Sequence, residues 1–291
     1  MAENLTSTVS SAGQTVEISR ELPTVIIGER INPTGRKKVL AALQEGNFEV
    51  VKQDATRQVE AGAAILDVNA GVPGVDEPEL LKKVMQTVME VTDVPLCIDS
   101  ADPEALRAAL ENYEGKALIN STNGEEKSLE AILPLVKEFN TAVIGLCMDD
   151  DGIPPTPQDR LKVAEKIISR ADKLGIPAED VIIDPLALTM GSDHNAGRIA
   201  LETIELVVEK FGVNITMGAS NISFGLPDRA YINSTYIAMA IYAGMTCPIT
   251  NPLITEIQTA VLAADLSMGH DEYGSRWIKA FRERQKKETE S

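Results

Sequence analysis

Histidine is nearly absent from this chain, with two in 291 residues, and aromatics make up only 4%. The two histidines, His194 and His270, form no Ser-His-Asp set or Cys-His pair with their neighbours, so acyl transfer through an activated hydroxyl or thiol is not expected. Cysteine is also sparse. Cys97, Cys147 and Cys247 lie far apart in apolar segments with no C-x-x-C spacing. That pattern speaks against a disulfide framework or a zinc site and for reduced core thiols in a cytoplasmic protein, with no bound metal expected. Positive charge is scarce as well. Lys and Arg total 27 against 44 Asp and Glu, a formal net charge of -17. Nucleic acid and anionic membranes are poor partners for such a surface, whereas a protein with a basic face is drawn to it. There is no 18-residue apolar run and no continuous apolar stretch in the first 20 residues, so neither a membrane span nor a signal peptide is expected. Neither G-x-G-x-x-G nor a P-loop sequence occurs, which removes the common phosphate-cradling motifs.

What is present is aliphatic: 44% of residues are hydrophobic. Strand-like runs fall at residues 24–30, 65–71, 95–100, 117–122, 141–148, 181–188, 214–221 and 247–252. Stretches of helical period separate them, over 49–61, 77–91, 103–112, 128–138, 158–174, 196–211, 230–243 and 255–267. Eight strands alternating with eight helices in about 250 residues predict a parallel sheet closed into a single-domain (β/α)8 TIM barrel of the α/β class. The expected boundaries are a flexible N-terminal tail over 1–20, the barrel over 21–270 and a C-terminal helical extension over 271–291.

Several strands end on polar residues, and the C-terminal ends of barrel strands are where such folds keep their active sites. Side chains alternate inward and outward along a strand, so Asp99 shares a side with Cys97, and Asp67 with Asn69. Glu29, Asp67, Asn69, Asp99, Asn120, Asp184, Asn221 and Asn251 thereby gather at one acidic, amide-rich mouth. A carboxylate accepts two parallel hydrogen bonds from adjacent N–H donors, and Asn both donates and accepts. The 2-amino-4-oxo edge of a pterin offers that mixture; so do purines and sugars. Any one of these residues could instead cap a turn. The small segment Gly218-Ala-Ser220 permits close backbone approach to a ligand or simply eases strand packing.

Ile27-Gly-Glu-Arg-Ile-Asn32, Ile65-Leu-Asp-Val-Asn69, Leu96-Cys-Ile-Asp-Ser100, Ile119-Asn-Ser-Thr-Asn123, Ile183-Asp-Pro185 and Gly218-Ala-Ser-Asn-Ile-Ser-Phe-Gly-Leu-Pro227 together carry a resemblance. The chain resembles the pterin-binding methyltransferase family from about residue 24 to 268. That family includes methyltetrahydrofolate:corrinoid protein methyltransferases and the folate domain of cobalamin-dependent methionine synthase. The resemblance implies that Asp99, Asn120 and Asp184 hold the pterin ring. It implies that Asn221, beside Ser220 and Gly218, hydrogen-bonds the folate N5, and that Arg229 helps hold the loop or ligand. Glu29, Asn32, Asp67 and Asn69 match the family's strand ends. Catalytic roles fall to Asn221, Asp99 and Asp184. Tetrahydrofolate or methyltetrahydrofolate is the implied substrate, with cobalamin carried by a separate corrinoid protein, and a homodimer is implied. The pathway served (O-demethylation, methylamine or betaine use, or acetyl-CoA synthesis) stays open. Dihydropteroate synthase shares the barrel and pocket, but its Ser-x-Arg and Arg-x-His segments are replaced by Ser220-Asn-Ile-Ser223 and Thr250-Asn-Pro252. A non-catalytic folate-binding module is the remaining alternative, and the presence of Asn221 counts against it.

Overall fold

In the computed structural model, residues 2–290 are described. The barrel strands are β3 (Ile27–Ile31), β4 (Ile65–Asn69), β5 (Leu96–Asp99), β6 (Leu118–Asn123), β7 (Ala142–Leu146), β8 (Val181–Asp184), β9 (Thr216–Gly218) and β10 (Cys247–Thr250). All pair in parallel in the order β8-β7-β6-β5-β4-β3-β10-β9. The ring closes between β8 and β9 through one bridge, Ile183 to Ile215, with the Ile183 N–H donating to Asn214 O at 3.0 Å. The (β/α)8 barrel expected from the alternation is therefore what forms.

Two apolar layers follow from the two-residue period of the strands. Inward-facing Ile27, Ile65, Cys97, Leu118, Ile144, Ile182 and Ile249 fill the barrel. Outward-facing Leu66, Val68, Leu96, Ile98, Ile119, Val143, Ile183 and Ile215 pack on the helices. Those helices are α1 (Lys37–Gln44), α2 (Glu49–Glu60), α3 (Glu77–Met89), α4 (Pro103–Leu110), α5 (Glu126–Phe139), α6 (Pro157–Lys173), α7 (Ala196–Phe211), α8 (Arg229–Ala243) and α9 (Thr255–Met268). Three helix starts use a capping side chain just ahead of proline in the first turn: Asp76, Asp102 and Thr156 each accept from a backbone N–H two or three residues on,. α5 begins two residues before Ser128, whose hydroxyl instead accepts from the Asn123 N–H at 3.2 Å. The extension is α10 (Ser275–Glu290). Among the described residues no helix is long and apolar enough to cross a membrane.

The first twenty residues depart from the expected loose tail. β1 (Ser7–Ser10) and β2 (Thr15–Ile18) form an antiparallel hairpin. Its Val9, Val16 and Ile18 are buried with the inward-facing barrel residues. Asn214 Nδ2 donates to Ser7 Oγ at 2.9 Å and Ile18 O at 2.8 Å, and the Ser10 N–H donates to Lys116 O at 2.9 Å. The Ser- and Thr-rich composition conceals a strict alternation of buried and exposed positions in Thr15-Val-Glu-Ile18. The hairpin plugs the end of the barrel opposite the mouth. Ile18→Ala should therefore cost about 2–5 kcal/mol in chemical denaturation, as deletion of a core side chain does. A change within about 0.5 kcal/mol, typical of surface sites, would show that the hairpin is not part of the core.

Candidate active site at the barrel mouth

On five strands the inward apolar position is followed, two residues on, by a residue singled out from the sequence, and on β9 the buried Thr216 takes the place of the apolar residue. Ile27 leads to Glu29, Ile65 to Asp67 and then Asn69, Cys97 to Asp99, Leu118 to Asn120, Ile182 to Asp184 and Thr216 to Gly218. Parallel register sets Asn69 beside Asp99, and Asp99 beside Asn120. The Asn120 amide donates to Asp67 Oδ1 at 3.0 Å. Asn69 hydrogen-bonds Asp99. These four residues form one linked group. On the other side Glu29 accepts from the Ser220 hydroxyl at 2.9 and 3.1 Å, and Arg229 Nη2 donates to Ser220 O at 2.6 Å. Asp184 Oδ1 accepts from the Leu186 N–H at 2.7 Å, and the carboxylate also bonds the Gly218 N–H.

Three residues sit differently from the sequence expectation. β9 stops at Gly218, and residues 219–223 turn into a short 3-10 helix, so Asn221 lies on that turn rather than at the strand end. There Asn221 is exposed at the mouth, and a Cβ placed on Gly218 would lie 3.0 Å from its Nδ2. Gly218 thus makes room for the Asn221 amide. Asn32 accepts from the Thr34 N–H at 2.8 Å in a turn of its own, and no hydrogen bond among the described residues ties it to the other site residues. Asn251 likewise accepts from the Leu253 N–H at 3.1 Å. Both are turn-capping asparagines.

Burial sets the electrostatics. Asp184 is 6% exposed, and desolvation pushes its carboxyl up to about 6, against bonds from Leu186 and Gly218 that pull it down,. Asp99 is pushed to about 6, again by desolvation. Asp67 goes well above the usual carboxylate range because it is buried and faces Asp99. Glu29 is raised by burial, partly offset by Ser220. Burial raises all three cysteine thiols, which are free, so none is an activated nucleophile,. The mouth is a set of acceptors of which some hold protons near neutrality. A cleft of about 490 Å³ opens between the ends of β5 and β6, lined by Asp99, Ser100, Asn120, Thr122, Ser128 and Leu146. Its size suits a bicyclic ligand. Asp184 and Asn221 lie outside its lining, so a ligand reaching both must extend from the cleft across the mouth.

Sequence reading missed several residues that build this site. Gln58 of α2 is fully buried, and its Oε1 accepts from the Arg30 N–H at 2.8 Å, fixing the end of β3. Arg160 of α6 is the largest fully buried side chain and bonds the loops after β7 and β8. Both occupy helix positions whose polarity reads as solvent-facing. Only the apolar neighbours of Arg160 in Asp159-Arg-Leu-Lys-Val-Ala164 hint otherwise.

The family of pterin binding enzymes matches residues 28–251, a span that starts on β3 and ends just after β10. The chain belongs to that family. Within it, the sequence falls with the methyltransferases. It is 31% identical over 265 residues to the methylcorrinoid:tetrahydrofolate methyltransferase of Eubacterium limosum, covering 89% of this chain and 96% of that protein. It is 29% identical over 256 residues to the methionine synthase of Mycobacterium tuberculosis, covering 84% of this chain but only 22% of that much longer protein. Among solved structures, dihydropteroate synthase from Xanthomonas albilineans in complex with 7,8-dihydropteroate superposes with a TM-score of 0.64 at 20% identity, covering 89% of this chain and 98% of that one. The Yersinia pestis enzyme with a pterine-sulfa conjugate gives 0.65 at 17%, covering 90% and 98%. At that identity the likeness establishes the barrel fold alone.

The raised carboxyl of Asp184 has a consequence for stability. The folded protein holds this proton up to about 6, whereas an unfolded Asp releases it near roughly 3.9. The folded state therefore binds more protons between those values, so stability falls as pH rises through the window and the cost is fully present above it. Asp184→Asn keeps an acceptor for the Leu186 N–H but removes the charge. It should be more stable than the parent above about pH 6, by roughly 1–3 kcal/mol in urea denaturation, with the difference gone below about pH 4. A variant less stable at pH 8 would show that the ionised carboxylate stabilises the fold.

Proposed function

We propose that this methyltransferase moves a methyl group between a corrinoid carried by a partner protein and N5 of tetrahydrofolate. The observation that carries this reading is the joined group Asp67, Asn69, Asp99 and Asn120 facing the same mouth as Asp184 and the Asn221 turn. Buried carboxylates with an amide among them match the N–H donors and carbonyl of a pterin edge. Asp99, Asn120 and Asp184 hold the ring. Glu29, Asp67 and Asn69 fix the residues that touch it, while Arg229 and Ser220 fix the turn bearing Asn221. The likeness to the Eubacterium limosum protein supports the corrinoid partner.

The chemistry asks little of a protein nucleophile and much of hydrogen bonding. The corrinoid, as substrate, supplies a nucleophilic cobalt in one direction and the methyl in the other. When the N5–CH3 bond breaks, its electron pair stays on N5, which must accept a proton or a hydrogen bond approaching one. That help must be stronger in the transition state than before it. The exposed Asn221 amide reaches N5, and Asp99 and Asp184, with carboxyls pushed up to about 6, are ionised acceptors at neutral pH that can take up a proton within the same mouth,. Cobalt approaches from solvent over the open mouth.

We further propose that two copies associate through the outer face of α8 and α9. Residues 230–255 contain no Asp, Glu, Lys or Arg in a chain of net charge -17. Tyr231, Met239 and Tyr242 stand exposed along α8, between an apolar groove against α7 and another against α9. A ridge flanked by grooves is complementary to its own image, and it is the surface on which like-charged copies can meet without repulsion. Tyr242→Glu should convert a dimer to a monomer in light scattering; a dimer that persists would place the interface elsewhere.

The main test mixes the protein with methyltetrahydrofolate and free cob(I)alamin and follows loss of the Co(I) absorbance. Acceleration over buffer is expected. A folded, folate-binding protein that gives none would leave only a binding module. Asn221→Ala should lower turnover by about 10²–10³-fold, as loss of one transition-state donor does, while folate affinity changes far less. Equal losses in both would mean that Asn221 only positions the ring. Because Asp99 and Asp184 accept best when ionised, affinity for methyltetrahydrofolate should fall as pH drops through about 6.

A further inference from the structure

Arg160 is 2% exposed, yet no carboxylate among the described residues lies within 4.0 Å of its guanidinium. Its Nε donates to Pro154 O at 2.9 Å, in the loop after β7. Its Nη1 donates to Pro185 O at 2.7 Å and Leu186 O at 2.8 Å, in the loop after β8. Leu186 has a φ of 65°, a left-handed conformation that a branched side chain seldom adopts,. It is clamped from both sides. Its N–H is held by the Asp184 carboxylate at 2.7 Å and its carbonyl by Arg160. An apolar side chain of similar volume would fill this space without the cost of burying a cation. What the guanidinium adds is a rigid fork across two loops and a positive charge beneath a buried carboxylate.

We propose that Arg160 is a positioning residue for the pterin site, bridging the loops after β7 and β8 so that Leu186 is locked and the Asp184 carboxylate is aimed into the mouth. Asp184 faces Arg160 from α6, Cys147 from the end of β7, Tyr236 from α8 and Cys247 from β10. Asp193 in the loop after β8 also acts on Arg160. Burial raises the two thiols and the phenol, so near neutrality Arg160 is the cation in this set that favours ionised Asp184. For its affinity readout alone, the proposal rests on the pterin reading above.

The test uses the full chain with Arg160→Lys and Arg160→Gln. Lys keeps the charge but cannot span carbonyls on both loops; Gln loses the charge as well. The Asp184 carboxyl is titrated by carbon NMR without ligand, assigned by its absence in Asp184→Asn. Its midpoint should rise in both variants, by about one pH unit or more in Arg160→Gln, which loses the clamp and the charge, and by less in Arg160→Lys, which loses the clamp alone. The Leu186 amide should exchange faster in both. Methyltetrahydrofolate affinity should weaken by about tenfold to a hundredfold in both, as small displacements of a positioned group do. Folded variants with lower melting temperature but unchanged titration, exchange and affinity would reduce Arg160 to a structural residue. Should Arg160→Gln fail to fold, Arg160→Lys decides through exchange and affinity. A parent protein that binds no folate would sink the pterin reading, while titration and exchange still judge Arg160.

Discussion

Everything at the mouth depends on the two-residue period of the barrel strands. On β3, β4, β5, β6 and β8 the inward position below the rim is apolar and closes the barrel; the next inward position is polar and has nowhere else to point,. Shifting any strand by one residue would send Asp67, Asp99 or Asp184 into the helix layer and expose Leu66, Ile98 or Ile183 to the barrel interior. The apolar core therefore enforces the geometry of the polar site. The same residues that exclude water from the barrel also desolvate the carboxylates above them, which is why Asp99 and Asp184 are pushed up to about 6,.

That arrangement is costly to the empty fold. Asp67 and Asp99 are buried carboxyls in neighbouring strands that resist ionising together, and hydrogen bonds with Asn69, Asn120 and the Cys97 thiol moderate them. A ligand bearing several N–H donors satisfies what the protein leaves poorly solvated, so binding energy and selectivity come from the same deficit. A neutral mouth would be more stable and would recognise less. Such a trade of stability for a functional site is common in enzymes.

The barrel and most of its mouth were legible because both rest on local, periodic signals. Apolar runs marked the strands, polar residues marked their ends, and parity brought Asp67, Asn69, Asp99 and Asn120 to one side. What escaped depended on long-range contact. The hairpin at Ser7–Ile18 reads as a tail because its strands are four residues each and its partners, Asn214 and Lys116, are a hundred or two hundred residues away. α1 at Lys37–Gln44 was missed between Gly35 and Gly46, as only Val39 and Leu43 of its eight residues are buried. The end of β9 was set too late, since Ala219-Ser-Asn-Ile-Ser223 has no breaker to mark where a strand becomes a 3-10 turn. Arg160 and Gln58 were invisible because a buried polar side chain on a helix is justified only by loops distant in sequence.

Those long-range ties also explain how an exposed residue proposed to act at N5 can be held in place. Asn221 sits on a short turn, yet the turn is anchored along its length. The Met190 N–H donates to Ile222 O at 2.9 Å, Thr189 Oγ1 donates to Phe224 O at 2.6 Å, and Arg229 holds both Ser220 O and Ser223 Oγ. Ser220 in turn is held by Glu29 from the first barrel strand. The loop after β8, which supplies Met190 and Thr189, starts at the Leu186 clamp between Asp184 and Arg160. The turn with Asn221 is thus bound to β3, the loop after β8 and α8 while Asn221 stays exposed at the mouth. A rigid donor at an open mouth is what the proposed methyl transfer with a second, bulky protein would demand: the hydrogen bond must be in place before the partner arrives, and no lid can close over the site while the partner is there.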